Sequence, residues 1–387
     1  MAQLTFFLGL SRWACLLFAL LFCQQTIAGQ LMDGFIDPRD GYLDTSDWLA
    51  TRTGFLPVPI IITEPAVGYG GGAALAFFHG RFKGTKTPGG KDRRIPPSVS
   101  AIAAGGTENG TWFLGGGHLG IWRHDTIRYT GGAGYADVVM DYYGSNGGLG
   151  GKPVRFESTA FGLLQELQFR LGESNFFAGV SYRLVDTSNE FHLSSVFPIP
   201  GIPALKFDSR SAGVSLSLNY DDRDNMFTPS EGLDAELKLG NYGSAWGGDD
   251  SFNKFRGYAK YYHRLSDTWV MGLRGDTEGV DGDAPFYEYP FIDMRGIKVM
   301  RYQGKRTALG ELELRWSFHP RWTLVGFGGV GKTWASDGKN DSDALYSKGL
   351  GFRYLIARKL GLQVGVDIAR GPEETAFYIQ VGSAWKR

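Results

Sequence analysis

The segment Gly232-Leu233-Asp234-Ala235-Glu236-Leu237-Lys238-Leu239-Gly240 alternates apolar and charged side chains without interruption. Successive side chains of a β-strand point to opposite faces, so this segment predicts a strand with one apolar and one polar face. The same alternation recurs over 255–264, 311–316 and 362–368. One such strand would also fit a soluble β-sandwich. The repetition along the chain and the nature of its N-terminus decide between the two classes.

The first 28 residues have the features of a secretory signal peptide. Their apolar run, residues 13–23, is too short to span a bilayer, and the small residue Ala28 closes the segment. We therefore predict cleavage after Ala28; lipid attachment at Cys23 is the alternative, disfavoured by the bulky Phe22 before it. Both cysteines, Cys15 and Cys23, would be removed, which leaves no thiol for a disulfide, a metal or a nucleophile.

Beyond residue 30 no stretch approaches the ~20 apolar residues of a transmembrane helix, so membrane insertion would have to use strands. Segments of alternating character number about sixteen, an even count typical of single-chain bacterial barrels. The predicted fold is all-β, a transmembrane antiparallel β-barrel in the outer membrane of a Gram-negative bacterium. The predicted strands span 58–63, 67–79, 98–106, 111–121, 125–139, 154–171, 175–190, 208–222, 232–242, 252–265, 268–280, 307–318, 322–335, 346–358, 361–370 and 374–385.

The chain thus divides into a signal peptide over 1–28, a short periplasmic segment over 29–57 and a barrel over 58–387. The middle segment is polar and, at about thirty residues, too short for a domain of its own. We expect it to lie under the barrel or to plug it.

The lengths of the connections provide an independent test of this assignment. Those at 171–174, 265–267, 319–321 and 359–360 are tight, whereas those at 140–153, 191–207, 243–251, 281–306 and 336–345 are long. Outer-membrane barrels have short periplasmic turns and long external loops, so both chain ends are predicted in the periplasm. The basic connection over 81–97 disagrees, because it is long where a short turn is expected.

Between the eighth and ninth predicted strands the chain carries Asp222-Arg223-Asp224, a proline shortly after, and then Gly232. This motif resembles the corresponding turn of the BamA/TamA outer-membrane assembly barrels, also called the bacterial surface antigen family. The closing segment 377–385 is similar to the terminal aromatic targeting signal of such proteins and ends its pattern at Trp385. Two further residues, 386–387, follow the usual final aromatic residue.

A second resemblance to the same family lies in the long loop between the eleventh and twelfth strands. Arg295-Gly296 is similar to the arginine-glycine-aromatic motif that folds back into the lumen. A buried arginine needs a carboxylate partner; the resemblance implies Glu313, with Glu311 as a neighbouring candidate. The family's second acidic position, on the thirteenth strand, reads Gly329 here. The competing interpretation places Arg295 in a solvated external loop.

Other motifs carry weaker signals. Gly326–Thr333 spells a phosphate-binding loop, but a strand end and a turn follow it instead of a helix, so we predict a glycine-rich strand and no nucleotide. The six histidines lack metal-ligand spacing, and no nucleophile motif appears. Forty basic and forty acidic residues give no net field that would attract nucleic acid. We therefore predict no enzyme activity, cofactor, metal or nucleic-acid partner.

The resemblance implies a role in outer-membrane protein or lipid assembly and a weak seam between the first and last strands. Outer-membrane lipids and unfolded outer-membrane proteins are the expected partners. The best-known members carry periplasmic repeats before the barrel; this chain has no room for them, so insertase activity would require a separate periplasmic partner that supplies them. The alternative function is a passive pore for small solutes, since sixteen strands can enclose an aqueous lumen.

Overall fold

The computed structural model describes residues 35–46, 54–80, 83–86, 90, 92–143, 153–193, 203–335 and 341–385. The predicted signal peptide, with its cleavage site at Ala28, lies outside these residues. No helix in this part of the chain is long and apolar enough to cross a membrane.

Sixteen antiparallel strands form one sheet that curls into a nearly closed barrel, each strand pairing with the next barrel strand along the chain. A separate hairpin, β3 and β4, interrupts the connection between the second and third barrel strands. The sixteen predicted strands are confirmed, with ends within four residues of those predicted. The strands are β1 Gly54–Ile62, β2 Gly70–His79, β3 Lys83–Lys86, β4 Asp92–Ile95, β5 Ser98–Thr107, β6 Trp112–Trp122, β7 Ile127–Tyr142, β8 Val154–Arg170, β9 Phe176–His192, β10 Leu205–Asp221, β11 Gly232–Tyr242, β12 Phe252–Arg264, β13 Trp269–Gly282, β14 Arg306–His319, β15 Trp322–Trp334, β16 Leu345–Ala357, β17 Leu362–Arg370 and β18 Thr375–Val381.

The two faces of the wall differ in the sense expected of a membrane barrel. Along β10, Ser215, Ser217 and Asn219 are buried in the interior. Leu216, between the two serines, is 66% exposed on the outside. On β11, Leu237 and Leu239 are also about two-thirds exposed, at 65% and 67%. Polar side chains therefore line the lumen and apolar side chains face outward, which suits lipid rather than water.

The two ends of the barrel are distinct. We call the end with the short connections, at 171–175, 265–268, 320–321 and 358–361, the turn end. The opposite end, with connections at 143–153, 193–204, 243–251, 283–305 and 335–344, is the loop end. The long basic connection lies at the turn end, where it forms the β3–β4 hairpin instead of a simple turn. The expectation that the turn end faces the periplasm remains a prediction.

The barrel has a seam between β1 and β18, the two outer strands of the sheet. In the described residues no backbone pairing joins them. β1 contains Pro57 and Pro59, yet its ladder with β2 runs without interruption from Gly54 to Ile62. Because proline has no N–H to donate, the nitrogens of both prolines must face away from β2 and toward the seam. The seam edge of β1 therefore lacks two hydrogen-bond donors.

Residues 35–46, which we call the strap, lie across the turn end below β14–β17. Arg321, in the β14–β15 turn, has a fully buried side chain that contacts Asp37, Asp40 and Asp44 at 2.7, 2.7 and 2.6 Å. The backbone N–H of Thr45 donates to the carbonyl of Ile356 on β16 at 2.7 Å. The hydrogen bond from Arg321 lowers the pKa of Asp40 to about 2. Residues 35–46 of the predicted N-terminal segment are thus fixed to the barrel by charge pairing, whereas residues 54–57 belong to β1.

We predict that Arg321→Met destabilises the barrel by about 3 kcal/mol or more, because three carboxylates would lose their shared buried cation. Urea unfolding, followed by the shift in gel mobility between folded and unfolded barrels, would measure the loss. Arg39→Met is the matched control, since Arg39 is an exposed arginine of the same strap. Equal stability of the two variants would show that the strap does not depend on this cluster.

Candidate functional site in the barrel lumen

The connection between β13 and β14, residues 283–305, folds into the lumen rather than away from the barrel. Ile292, Met294 and Ile297 of this loop form a buried apolar cluster with Leu345 of β16. The backbone turns at Gly296, whose φ of +88° favours glycine. A Cβ there would lie 2.8 Å from the nitrogen of Gly371, so only glycine permits this approach to the β17–β18 connection.

Arg295, at the tip of this loop, is buried between two carboxylates. Its Nη2 lies 2.9 Å from Oε2 of Glu313 on β14, and its Nη1 lies 2.8 Å from Oδ2 of Asp367 on β17. Its guanidinium also stacks 3.4 Å above the ring of Phe327 on β15. We call Arg295, Glu313 and Asp367 the Arg295 lock. The structure therefore brings Arg295 and Glu313 together, and it does not place Arg295 in a solvated loop.

The second carboxylate of the lock comes from β17, which was predicted as a strand but not as the source of a partner for Arg295. Position 329 has no space for an acid, because a Cβ on Gly329 would lie 2.7 Å from Cγ of Glu311 and 2.9 Å from Sδ of Met294. Glu311 is occupied elsewhere, in an ion pair with Arg274 of β13 at 2.7 Å. Asp367 therefore supplies the charge. Its place in an alternating outward-and-inward strand was visible in the sequence, but its partner was not.

The Arg295 lock and its neighbouring backbone connect five consecutive strands that end at the seam. The carbonyl of Arg295 accepts a hydrogen bond from the Ser347 hydroxyl, and the N–H of Gly296 donates to the Tyr378 hydroxyl at 2.9 Å. The contacts in strand order are Glu313 on β14, Phe327 on β15, Ser347 on β16, Asp367 on β17 and Tyr378 on β18. One loop tip thus holds β14–β18 as a unit.

The beginning of the same loop is attached to the opposite part of the wall. Glu288 is 1% exposed and contacts Arg183 of β9 at 2.6 Å and Lys254 of β12 at 3.0 Å. The Ser211 hydroxyl donates to it at 2.7 Å. Burial alone would raise the pKa of Glu288, but Lys254 and Arg183 together lower it to about 2. The loop is therefore held by charge pairs on both sides of the lumen.

A second charged cluster closes the turn end around Asp221, which is fully buried at the end of β10. Arg93 from the β3–β4 hairpin forms an ion pair with it, as do Arg128 of β7 at 2.9 Å and Arg223 at 2.9 Å. Arg93 also lies 3.5 Å from Asp125. The long basic connection, unexplained from sequence, thus inserts an arginine into the lumen.

In the predicted turn motif, Asp222 and Asp224 bind backbone N–H groups and do not pair with Arg223, which the sequence did not show. Asp222 accepts the N–H of Leu233 at 2.6 Å, and Asp224 accepts the N–H of Ser230 at 2.9 Å, so both acids shape the turn. Gly232 has a φ of +106°, and a Cβ there would lie 2.7 Å from Cα of Arg223. The charge partner of Arg223 is Asp221, together with Asp234 at 3.3 Å.

This turn, residues 222–231, extends across the turn end of the barrel. Asn225 donates to the carbonyl of Leu360 at 3.0 Å, in the β16–β17 turn. Arg315 of β14 donates to the carbonyl of Pro229 at 2.6 Å. Together with Arg93, these contacts fill the lumen with backbone and charged side chains from two connections.

The chain end also packs inside. β18 ends at Val381, four residues before the predicted end at residue 385, because Gly382 adopts a φ of +76° that turns the chain inward. Trp385 is buried, with its ring 5.9 Å from that of Tyr262 on β12. A role for Trp385 in targeting remains a prediction, now for a residue that lies beyond the last strand.

Residues 152–385 match the family model of the Omp85 superfamily domain. The chain belongs to the Omp85 superfamily. Omp85 barrels are outer-membrane proteins of Gram-negative bacteria that act in assembly and transport rather than as enzymes. The match includes β14–β18, the strands joined by the Arg295 lock, and the family resemblance inferred from the motifs is thereby confirmed.

Solved structures share the fold of this Omp85 barrel at low sequence identity. BamA from Haemophilus ducreyi, solved without POTRA domains 1–3, has a TM-score of 0.57 and 12% identity over 86% of this chain and 70% of that one. CdiB from Escherichia coli has a TM-score of 0.54 and 11% identity, over 84% of this chain and 62% of that one. CdiB from Acinetobacter baumannii has a TM-score of 0.52 and 11% identity, over 84% of this chain and 59% of that one. This chain therefore spans about three-fifths of the length of either CdiB. No curated protein sequence matches the chain.

We predict that Asp367→Asn destabilises the barrel by about 3–5 kcal/mol, because Arg295 and Arg353 would both lose a buried carboxylate. Adding Gly329→Asp, which restores an acid at the family's usual strand, is expected to lower stability further, since that side chain collides with Glu311 and Met294. Thermal unfolding followed by gel mobility would measure both. Rescue by Gly329→Asp would contradict the steric argument, because it would show that position 329 can hold an acid that serves the lock.

We predict that the 283–305 loop loses stability in acid. The pKa of Glu288 is depressed from 4.5 to about 2 in the folded chain, so its contribution is complete above pH 4.5 and is lost as the pH falls from 4.5 toward 2. Hydrogen exchange of the loop, compared at pH 7 and pH 3, would detect the change. Glu288→Gln should already exchange faster at pH 7; an unchanged rate in that variant would contradict the assignment.

Proposed function

We propose that this Omp85 barrel assists the assembly of proteins or lipids in the outer membrane by working at its seam. The observation that carries the proposal is the combination of an unpaired seam with a lumen crossed at both ends. A strand edge whose polar groups are unpaired cannot remain exposed to hydrocarbon without cost. Such an edge disturbs the surrounding bilayer or accepts another strand, and either property aids insertion.

The lumen contents argue against the alternative of a passive pore. At the loop end, residues 283–305 connect the β9–β12 side to β14–β18 through Glu288 and Arg295. At the turn end, Arg93 and the 222–231 turn converge on Asp221. A solute would have to displace both sets of charge pairs. A stable water-filled channel would instead leave the lumen side chains solvated.

The attachments are distributed unequally on the two sides of the seam. β14–β18 are joined by the Arg295 lock, and β14–β16 are joined again by the strap. β1 has its ladder with β2, and the seam edge of β1 lacks the donors of Pro57 and Pro59. Separation at the seam therefore moves β1 away from a rigid block. We propose that this movement admits the client and that a separate periplasmic protein delivers it.

We predict that Pro57→Thr with Pro59→Thr slows assembly. The two added N–H groups would allow β1 to pair with β18, which closes the seam. In proteoliposomes, wild type should accelerate folding of a urea-denatured eight-stranded barrel, and the double variant should do so several-fold less. The matched control is Leu56→Thr with Val58→Thr, on the same strand, which adds the same two hydroxyls but no backbone N–H.

Planar bilayers distinguish the alternative function with the same proteins. A pore would show stable, ion-selective conductance in wild type, independent of the two prolines. Stable conductance without any acceleration of folding would overturn the assembly proposal. In the native host, loss of the gene should alter outer-membrane protein content; a change in permeability alone would favour the pore.

A further inference from the structure

The outward faces of β14–β17 carry four cations close to the loop end. Arg306 begins β14, Lys332 lies two residues before the end of β15, Lys348 is the fourth residue of β16, and Arg370 ends β17. The acidic residues of these strands, such as Glu311, stand at the inward positions and are buried in the lumen. The lipid-facing side of the four strands is therefore purely basic at this level.

These cations differ from the other outward cations of the barrel. On β8–β10, Arg155, Lys206 and Arg210 each form an ion pair with an outward carboxylate. Within the described ranges, no carboxylate lies within 4.0 Å of a side-chain nitrogen of Arg306, Lys332, Lys348 or Arg370. Asp281, on the outward side of β13, lies nearby but forms no such pair. In the part of the chain that the structure describes, no ion pair compensates the charge of this surface.

The cations are also arranged in pairs that should repel. Lys348 lies directly opposite Arg370 in the β16–β17 ladder, where opposed Cβ atoms are about 4.5–5.5 Å apart. Arg306 lies opposite Trp334, which places Lys332 diagonally, at about 7–8 Å. Like charges at such positions destabilise a sheet, and a cation facing lipid adds a further cost. An anion held between the members of each pair would remove both penalties.

A groove of about 590 Å³ lies beside Arg306, one of the four cations. Its lining includes Arg306, Asp281, Trp334, Phe255 and the small residues Thr277 and Ala308. Below the cations the outward side chains are apolar and well exposed, among them Leu350 at 73% and Ile368 at 56%. A head-group region that attracts anions thus continues into a surface suited to acyl chains.

We propose that this surface binds a phosphate-bearing glycolipid of the outer leaflet, one phosphate between Lys348 and Arg370 and a second beside Arg306 and Lys332. Lys332 lies four residues from Gly328, which pairs with Lys348 in the β15–β16 ladder. The two proposed phosphate positions are therefore ~13 Å apart along the strand direction. That separation favours a lipid with two phosphate groups over one with a single group. The inference rests on the loop end facing outward and does not depend on the proposed assembly function.

The test uses the purified barrel in neutral-lipid nanodiscs, with diphosphoryl lipid A as the probe and native mass spectrometry as the measure of binding. Each surface cation contributes about 1 kcal/mol to binding of an anionic lipid, so Lys348→Gln with Arg370→Gln should weaken binding about 30-fold. Arg306→Gln with Lys332→Gln should have a similar effect. Monophosphoryl lipid A should bind wild type more weakly than the diphosphoryl form.

The matched control is Lys206→Gln with Arg210→Gln, which removes two outward cations that already have carboxylate partners. It should retain wild-type binding. Gel mobility before and after heating identifies any variant that fails to fold; for such a pair, the single variants replace it. Equal weakening by the control pair, unchanged binding in both test pairs, or equal binding of a zwitterionic phospholipid would each overturn the proposal.

Discussion

The burial of Arg295 between Glu313 and Asp367 is the interaction on which the rest of the lumen depends. A guanidinium cannot give up its charge, so its removal from water has to be offset by carboxylates in good geometry. Two wall strands that are not neighbours, β14 and β17, supply them. The need to place Arg295 between these carboxylates determines the position of the loop tip. It also accounts for the glycine at residue 329 and for the close contact of Gly296 with Gly371.

The same requirement divides the barrel mechanically. β14–β18 are linked through a single loop tip, and the strap adds charge pairs beneath them. Within Gly54–Ile62, β1 has neither kind of link; the nearest contact is the Val299 N–H, which donates to Glu64 in the β1–β2 connection at 3.2 Å. The two prolines of β1 also cannot donate across the seam. The two sides of the seam are therefore attached unequally, as the placement of the charges and prolines requires.

The strands could be predicted from sequence because lipid and lumen impose a period of two that each strand carries locally, as Leu233–Leu239 shows. The Arg295–Glu313 contact could be expected only through resemblance to a family. Asp367, Asp221 and Arg93 could not be assigned, because the Arg295–Asp367 and Arg93–Asp221 contacts join residues 72 and 128 positions apart. The alternation pattern gives the face of a side chain but not the segment that lies opposite it. Trp385 shows the same limit: nothing in a strand pattern indicates a turn inward at Gly382.

A barrel of sixteen strands is too wide for its own side chains to fill, so its lumen holds either water or segments of the chain. Among the described residues, the β3–β4 hairpin, the 222–231 turn and the 283–305 loop enter the lumen, and each places an arginine against a wall carboxylate. Apolar plugs would bury surface that resists exposure to water. Ion pairs are replaced by hydrated ions at smaller net cost, because the water-exposed state of a charge is itself favourable. Charge pairing therefore holds the contents in defined positions while leaving them able to separate, as the proposed admission of a client would require.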